Sequence, residues 1–599
     1  MKLARILAFV IASLAAASPS LAAEPAKWND WGGDLFVRAA AEKRFVILDL
    51  EAVWCHWCHV MEKTTYADPE VDELLSAKFL PVRVDQDANP DLSSRYGDWG
   101  WPATIVFGPD GTEIAKIRGY IEPDRMQALL KAVIDDPSPG PSVGEAFEIK
   151  PSASVFLTKQ KRAELIANVD ASYEESIGGW GDNQKFIDAD SLDYAMSRAE
   201  AGDVTAIGRA RQTLDAARAL IDPVWGGVFQ YSEAGSWGHP HFEKIMSFQA
   251  QYLRQYSQAY ALWKDPKYLT AARDVERYLT GFLQSPDGAF YVSQDADLNQ
   301  DTDGHAYYAL AETERRKLGL PRIDTHLYAR ENGWVISGLI AFYDVANDPK
   351  VLAMAARAAK WVNDNRALPD GGFRHGDNNR GGPFLGDTLA MGQAFLDLYA
   401  ATGNRDWLTA AAKAGDFIAA TFKDETGGFL TSKTSEANTG VFAKPARLVD
   451  DQIQVVRLMN LLDRYFGNDI YKGHAIHAMR YLTAATADME RPLPGVLLAD
   501  EELAVEPTHM TIVGHKDDLR AQALHAIARA YPARYKRLEW LDPREGKLPN
   551  PDVEYPDLGE PAAFACSNRI CSFPSFSADE LQATVKQMAK LRASRASLD

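Results

Sequence analysis

The chain has 599 residues, 46% of them hydrophobic and 25% charged, with a formal net charge of −19. That length exceeds one hydrophobic core and sets an expectation of two or three domains. The acidic balance argues against nucleic acid and anionic lipid as partners.

The first 23 residues place Lys2 and Arg5 ahead of the apolar run ILAFVIASLAAA and end in small residues, SPSLAA. A run of that length is too short to span a bilayer, so residues 1–23 read as a cleaved signal peptide. No later stretch qualifies as a span. The mature chain is expected to be periplasmic or secreted, with no membrane segment.

From residue 24 to 136 strands and helices interleave. FVILDL is a buried strand, the segment after Cys55 is helical, PEVDELLSAKF is a helix and FLPVRVD a strand. TIVFG and TEIAKIRG are strands joined at Pro109-Asp110-Gly111, and EPDRMQALLKAVIDD closes the unit as a helix. This is the pattern of a small α/β layer domain. The Pro/Gly/Ser-rich stretch within 137–152 marks a linker.

From 153 to 503 long amphipathic helical windows dominate, punctuated by a glycine-aromatic phrase: GGWGD, GGVFQY, DGAFYVSQDAD, DGGFRHG, GGFLTS and a degenerate PGVLLADEE. Six units of that spacing suit helical hairpins stacked into an (α/α)6 toroid. Residues 504–599 mix strand and helix again and read as a small α/β appendage.

Four cysteines are too few for a disulfide scaffold in a chain of this size, and they fall as two close pairs. Cys55-His56-Trp57-Cys58-His59 spells a redox C-x-x-C, a c-type haem attachment site and half of a zinc site. Its position, after a strand and opening a helix, favours the redox dithiol: backbone N–H groups and the helix dipole stabilise a thiolate there. Haem lacks an enclosing pocket. Zinc lacks a nearby second ligand pair unless Cys566 and Cys571 supply it. Cys55 is expected to be the exposed nucleophile, Cys58 the resolving thiol and Asp49 a buried proton relay. GWPATIVF places Pro102 before a strand, and a cis Trp101–Pro102 bond is expected across from the thiols. Trp54, Trp57, Trp99 and Trp101 are expected to surround them, with Trp54, Trp57 and Trp101 binding a partner chain and Pro102 with Trp101 forming the groove that positions it.

In the toroid, His241, Glu243, Asp295, Asp297 and Asp387 follow glycine loops that would converge at one mouth, as candidates to bind or transform a sugar. Asp450-Asp451 opens a later helix, with Asp450 also readable as its N-cap. Asp295 and Asp297 can equally be turn residues, Glu243/Lys244 a solvated pair, and Trp180, Trp225 and Trp237 either sugar platforms or packing. Cys566 and Cys571 read as a structural disulfide, with a second redox pair as the alternative. No cofactor and no metal are expected.

WCHWCHVME, VDQDANPDLSSRY, GWPATIVFGPDG, PHFEK, FYVSQDAD and AFACSNRICSFP together resemble the family of spermatogenesis-associated, thioredoxin-domain proteins and their bacterial relatives. The resemblance implies a thioredoxin-like domain joined to a six-hairpin toroid related to glycosidases and N-acylglucosamine 2-epimerases. The chain departs from it after PHFEK, at Ile245-Met246-Ser247-Phe248, and at Val335-Ile336-Ser337-Gly338, where polar groups of the family are lost. The expected function is an exported thiol–disulfide oxidoreductase acting on a protein partner, with a toroid that binds a carbohydrate. The alternative is a carbohydrate-active or carbohydrate-binding protein whose thioredoxin-like domain docks or regulates.

Overall fold

The computed structural model describes residues 26–596 except 145–148, 182, 300, 301, 303, 378–380, 434–438, 488, 490, 551, 568 and 569. The expected signal peptide therefore lies outside the described residues.

The first layer is a four-stranded sheet, β1 Phe45–Glu51, β2 Phe79–Asp85, β3 Ala103–Phe107 and β4 Glu113–Arg118, in the order β2-β1-β3-β4. β1 runs parallel to β2 and antiparallel to β3, and β3 and β4 form a hairpin. Because strand side chains alternate, Val46, Leu48 and Leu50 enter one core with Leu35, Tyr96 and Phe107. Ile47 enters another, with Met61, Val71, Leu75 and Met126 from the covering helices. Burial on both faces explains the nearly continuous apolar run of β1. This is a thioredoxin-like layer.

Twelve long helices follow among the described residues, and they alternate in role. Ala189–Glu200, Met246–Trp263, Ala329–Ala346, Leu385–Thr402, Val449–Phe466 and Pro494–Ala504 each pack on the next, and the last packs on the first. That closes an inner ring. The others pack outside it, completing an (α/α)6 toroid. The turn from inner to outer helix has a repeated chemistry. Lys264, Asn347, Gly403 and Gly467 end inner helices in the left-handed region. Asp265, Asp348, Asn404 and Asn468 then cap the following outer helices by accepting a backbone N–H.

The glycine phrases form the opposite turns, from outer to inner helix, each closed by an antiparallel bridge such as Ile221 to Val228 or Lys423 to Phe429. Gly226 shows why glycine is required: its φ is +74°, and a Cβ there would lie 2.0 Å from the Asp274 carbonyl oxygen. PGVLLADEE departs from the expected pattern. It is the sixth inner helix, opened by Pro494, and not a sixth loop.

The tail carries strands Thr508–Val513, Lys536–Leu541, Ala562–Ser567 and Ile570–Cys571. The first two are parallel, the third is antiparallel to the first, and the last two form a hairpin. Strand order and directions repeat those of β1 to β4. The appendage is thus a second sheet of thioredoxin type. Where the first layer has its thiols, this one has Gly514-His515-Lys516-Asp517.

The two layers cover opposite mouths of the toroid. At the glycine-loop mouth Arg95 donates to the Lys444 carbonyl and Phe442 inserts into the core of the first layer. At the other mouth Arg405 donates to the Glu545 and Gly546 carbonyls, and Arg529 to Asn347.

Candidate functional site

Cys55 and Cys58 form a disulfide with Sγ–Sγ 2.08 Å at the start of helix His56–Thr64. Cys55 occupies the cap position, and its Sγ accepts the Cys58 N–H at 3.1 Å. No aspartate or serine is needed, because the sulfur itself satisfies a free helix N–H. The Trp101–Pro102 bond is cis.

The expectation that Cys55 is exposed is overturned. Both cysteines are only 3% exposed. They lie in an apolar cluster with Ala52, Trp54 and Trp101 from their own layer and Ile245 and Phe248 from the toroid. The four-tryptophan rim is also corrected. Trp57 points outward, 44% exposed, beside Tyr120. Trp99 packs against the other sheet face, 5.6 Å from the Lys116 ammonium.

Asp49 shares the sheet face of Ile47 and of the helix bearing Met61. Burial pushes its carboxyl up to about 6, against the pull of Arg83, whose Nε lies 3.4 Å from Oδ2. Glu51, on the same face, is pushed up to about 8 by burial and by the Asp49 charge. A strand facing the thiol helix thus carries two carboxyl groups that burial holds above the ordinary carboxylate range.

A second group of polar residues bridges the two modules. His56 Nδ1 lies 2.7 Å from Asp297 Oδ2. His59 Nδ1 lies 4.0 Å from Asp295 and 3.9 Å from Asp297. Burial raises the Asp297 carboxyl, but bonding to His56 and the charge of both histidines outweigh it and hold the group at about 2. Hydrogen bonding to Asp297 raises His56. Burial lifts Asp295 to about 6 and Glu243 to about 7. Glu243 is 4% exposed and its Oε2 has no hydrogen-bond partner.

A third group joins the modules through histidine. Trp54 Nε1 donates to Asp87 Oδ2 at 2.7 Å. His375 Nε2 lies 2.7 Å from the Asp87 carbonyl oxygen, and its Nδ1 lies 2.8 Å from Asp387 Oδ1. Two acceptors on one ring call for a proton on each nitrogen; burial opposes that charge, and Asp387 overrides it, so the pKa is raised. Tyr328 stacks on the same ring.

The axial interior of the toroid holds a cavity of about 530 Å³. Pro90 and Ser94 bound it on the side of the first layer, and Arg534 and Tyr535 on the side of the tail. Asp190, Asp387, Asp451, Arg457 and Trp334 line it. Burial and neighbouring aspartates raise Asp190 and Asp451 to about 7 each.

The structure therefore gathers Cys55, Cys58, Trp54 and Trp101 around the disulfide, and Glu243, Asp295 and Asp297 beside it. Asp387 faces the cavity. His241 is elsewhere, stacked on Tyr231 and 3.1 Å from Glu233. Glu243/Lys244 is not a solvated pair: Lys244 is fully buried on Asp222, which also takes Arg315. Trp180, Trp225 and Trp237 are buried packing residues. Asp450 sits in the first turn of its helix, behind the cap position Leu448. Sequence reading missed Asp87, Asp190 and His375. Asp87 lies in VDQDAN and His375 in DGGFRHG, phrases that carry buried polar groups, whereas Asp190 lies in neither and has no such flag.

Fold and site together define a thioredoxin-like dithiol layer seated on a six-hairpin toroid. Residues 15–134 match the family Thioredox_DsbH, described as "Protein of unknown function, DUF255". Residues 211–450 match "Beta-L-arabinofuranosidase, GH127 catalytic domain". The chain is similar to spermatogenesis-associated protein 20: the human protein is 24% identical over 709 aligned positions, covering 92% of this chain and 88% of that one. The thiol:disulfide interchange protein DsbD of Pseudomonas fluorescens is 40% identical over 78 residues, 12% of this chain and 13% of its own. A D-mannose isomerase structure aligns with TM-score 0.45 and 12% identity, covering 58% of this chain and 98% of that one.

Proposed function

We propose that the protein is a thiol–disulfide oxidoreductase of an oxidising compartment, periplasmic or extracellular, acting through Cys55 and Cys58. The observation that carries this reading is the sulfur at the helix start, where an N–H already points at Cys55 Sγ. In the reduced enzyme the Cys55 thiolate attacks a partner disulfide and forms a mixed disulfide, releasing one partner thiolate, which takes up a proton. The Cys58 thiol gives up its proton, towards Asp49 or water, and its sulfur displaces the second partner sulfur. The partner leaves as a dithiol and Cys55–Cys58 is oxidised. Ile245 and Phe248 cover the sulfurs, so a partner chain reaches them only when that edge of the toroid gives way.

A second reading concerns the toroid. The axial cavity, with Asp190, Asp451 and Trp334 on its wall, favours a carbohydrate ligand: carboxyl groups for hydroxyls and an indole for a sugar face. Glycan-array binding that is lost in Asp451→Asn supports it; an array without signal counts against it.

The oxidoreductase reading is tested by insulin reduction with dithiothreitol as the electron source. Wild type accelerates precipitation of the insulin B chain, and Cys55→Ser does not. Equal rates for both proteins would refute the assignment.

A further inference from the structure

We propose that His59, Asp295 and Asp297 bind a divalent transition-metal ion, Zn²⁺ or Mn²⁺, at the seam between the thioredoxin-like layer and the toroid. One ligand atom from each of the three lies within 4.8 Å of the others. An imidazole with two carboxylates is a donor set suited to these ions. Zn–N and Zn–O bonds of about 2.0–2.2 Å hold neighbouring ligand atoms about 3.3–3.5 Å apart around a tetrahedral ion. The His59 contacts, at 3.9 and 4.0 Å, need to close by only a fraction of an ångström.

The ligands are held from outside. His59 belongs to the second turn of the thiol helix. Asp295 Oδ1 accepts the Asp297 N–H at 3.0 Å, which fixes the turn and leaves Oδ2 towards His59. His56 on Asp297 then serves as the outer partner that orients a ligating carboxylate.

An independent observation points the same way. Glu243 is almost wholly buried and its Oε2 lacks any donor, and it directly precedes Lys244, which pairs with Gln294 next to Asp295. A buried carboxylate oxygen without a donor calls for a cation or a proton. A dication held by His59, Asp295 and Asp297 beside that carboxylate answers the need, and one shared between modules fastens the first layer over the mouth.

The test uses the untagged mature chain with both disulfides intact, so that no free thiol competes for metal. Zn²⁺ and Mn²⁺ are titrated calorimetrically, with Mg²⁺ for comparison. The expected result is one Zn²⁺ or Mn²⁺ per chain, with affinity at least tenfold weaker in His59→Ala and in Asp297→Asn. The latter preserves shape, and circular dichroism checks its fold. Crystals soaked in Zn²⁺ and measured at the zinc edge should give an anomalous peak among the three side chains. Absence of saturable binding, equal binding by Asp297→Asn and wild type, or a peak elsewhere would overturn the proposal.

Discussion

His56 and Asp297, 241 residues apart, meet at 2.7 Å between imidazole nitrogen and carboxylate. One residue lies inside the C-x-x-C motif and the other in a toroid loop, so the pair ties the redox helix to the second module.

The pair makes stability depend on pH. The folded pKa of His56 is raised, so its contribution is complete below the unfolded histidine value of about 6.5 and is lost as pH rises through the folded value. Asp297 is lowered to about 2, so its contribution is present above the unfolded value and lost as pH falls through about 2. Asp297→Asn should therefore lower stability most between about pH 4 and 6.5. Because His56 is 43% exposed, the expected loss is about 1 kcal/mol or less. Denaturant unfolding at pH 5.5 and pH 9 checks it; an equal loss at both values contradicts the pairing.

His375→Ala leaves the Asp87 carbonyl and Asp387 without their shared donor in a buried setting. The expected cost is about 2 to 3 kcal/mol. Urea unfolding measures it, and a change under about 0.5 kcal/mol, the scale of a surface substitution, would mean that the contact is not formed.

Phe248 belongs to the toroid yet packs on the disulfide. Phe248→Ala should raise the rate of insulin reduction several-fold by opening the sulfurs to a protein disulfide. An unchanged or slower rate, with the fold intact, contradicts the shielding argument.

The second disulfide closes the last hairpin of the tail, Cys566 facing Cys571 in register. A six-residue loop of this kind restricts the unfolded chain by about 2 kcal/mol. Replacing both cysteines by serine should lower stability by about that amount and leave insulin reduction unchanged. A loss of reduction would instead make the pair a relay for Cys55.

The sequence made the elements legible where local chemistry is strong. The apolar run Phe45–Leu50, the thiols at a helix start and the glycine turns each carry their own signature. It hid what depends on docking. Cys55 reads as exposed because nothing near it in sequence says that Ile245 and Phe248 cover it. His59 comes near Asp295 only through the seating of one module on the other. PGVLLADEE misled because proline and glycine open an inner helix as readily as they break one. The tail's second thioredoxin-type sheet was invisible because it lacks the thiols that flag the first. The repeated Asp or Asn caps after Lys264, Asn347, Gly403 and Gly467 carry a local signature as well, a short acceptor side chain directly after the left-handed residue.

The central claim is that Cys55 becomes the attacking thiolate, and the most direct measurement is the pH dependence of its alkylation in the reduced protein. Cys58→Ser isolates the single thiol, and the tail cysteines are also replaced by serine. The account predicts an inflection clearly below the ordinary thiol value of about 8.5. An inflection at or above that value would contradict it.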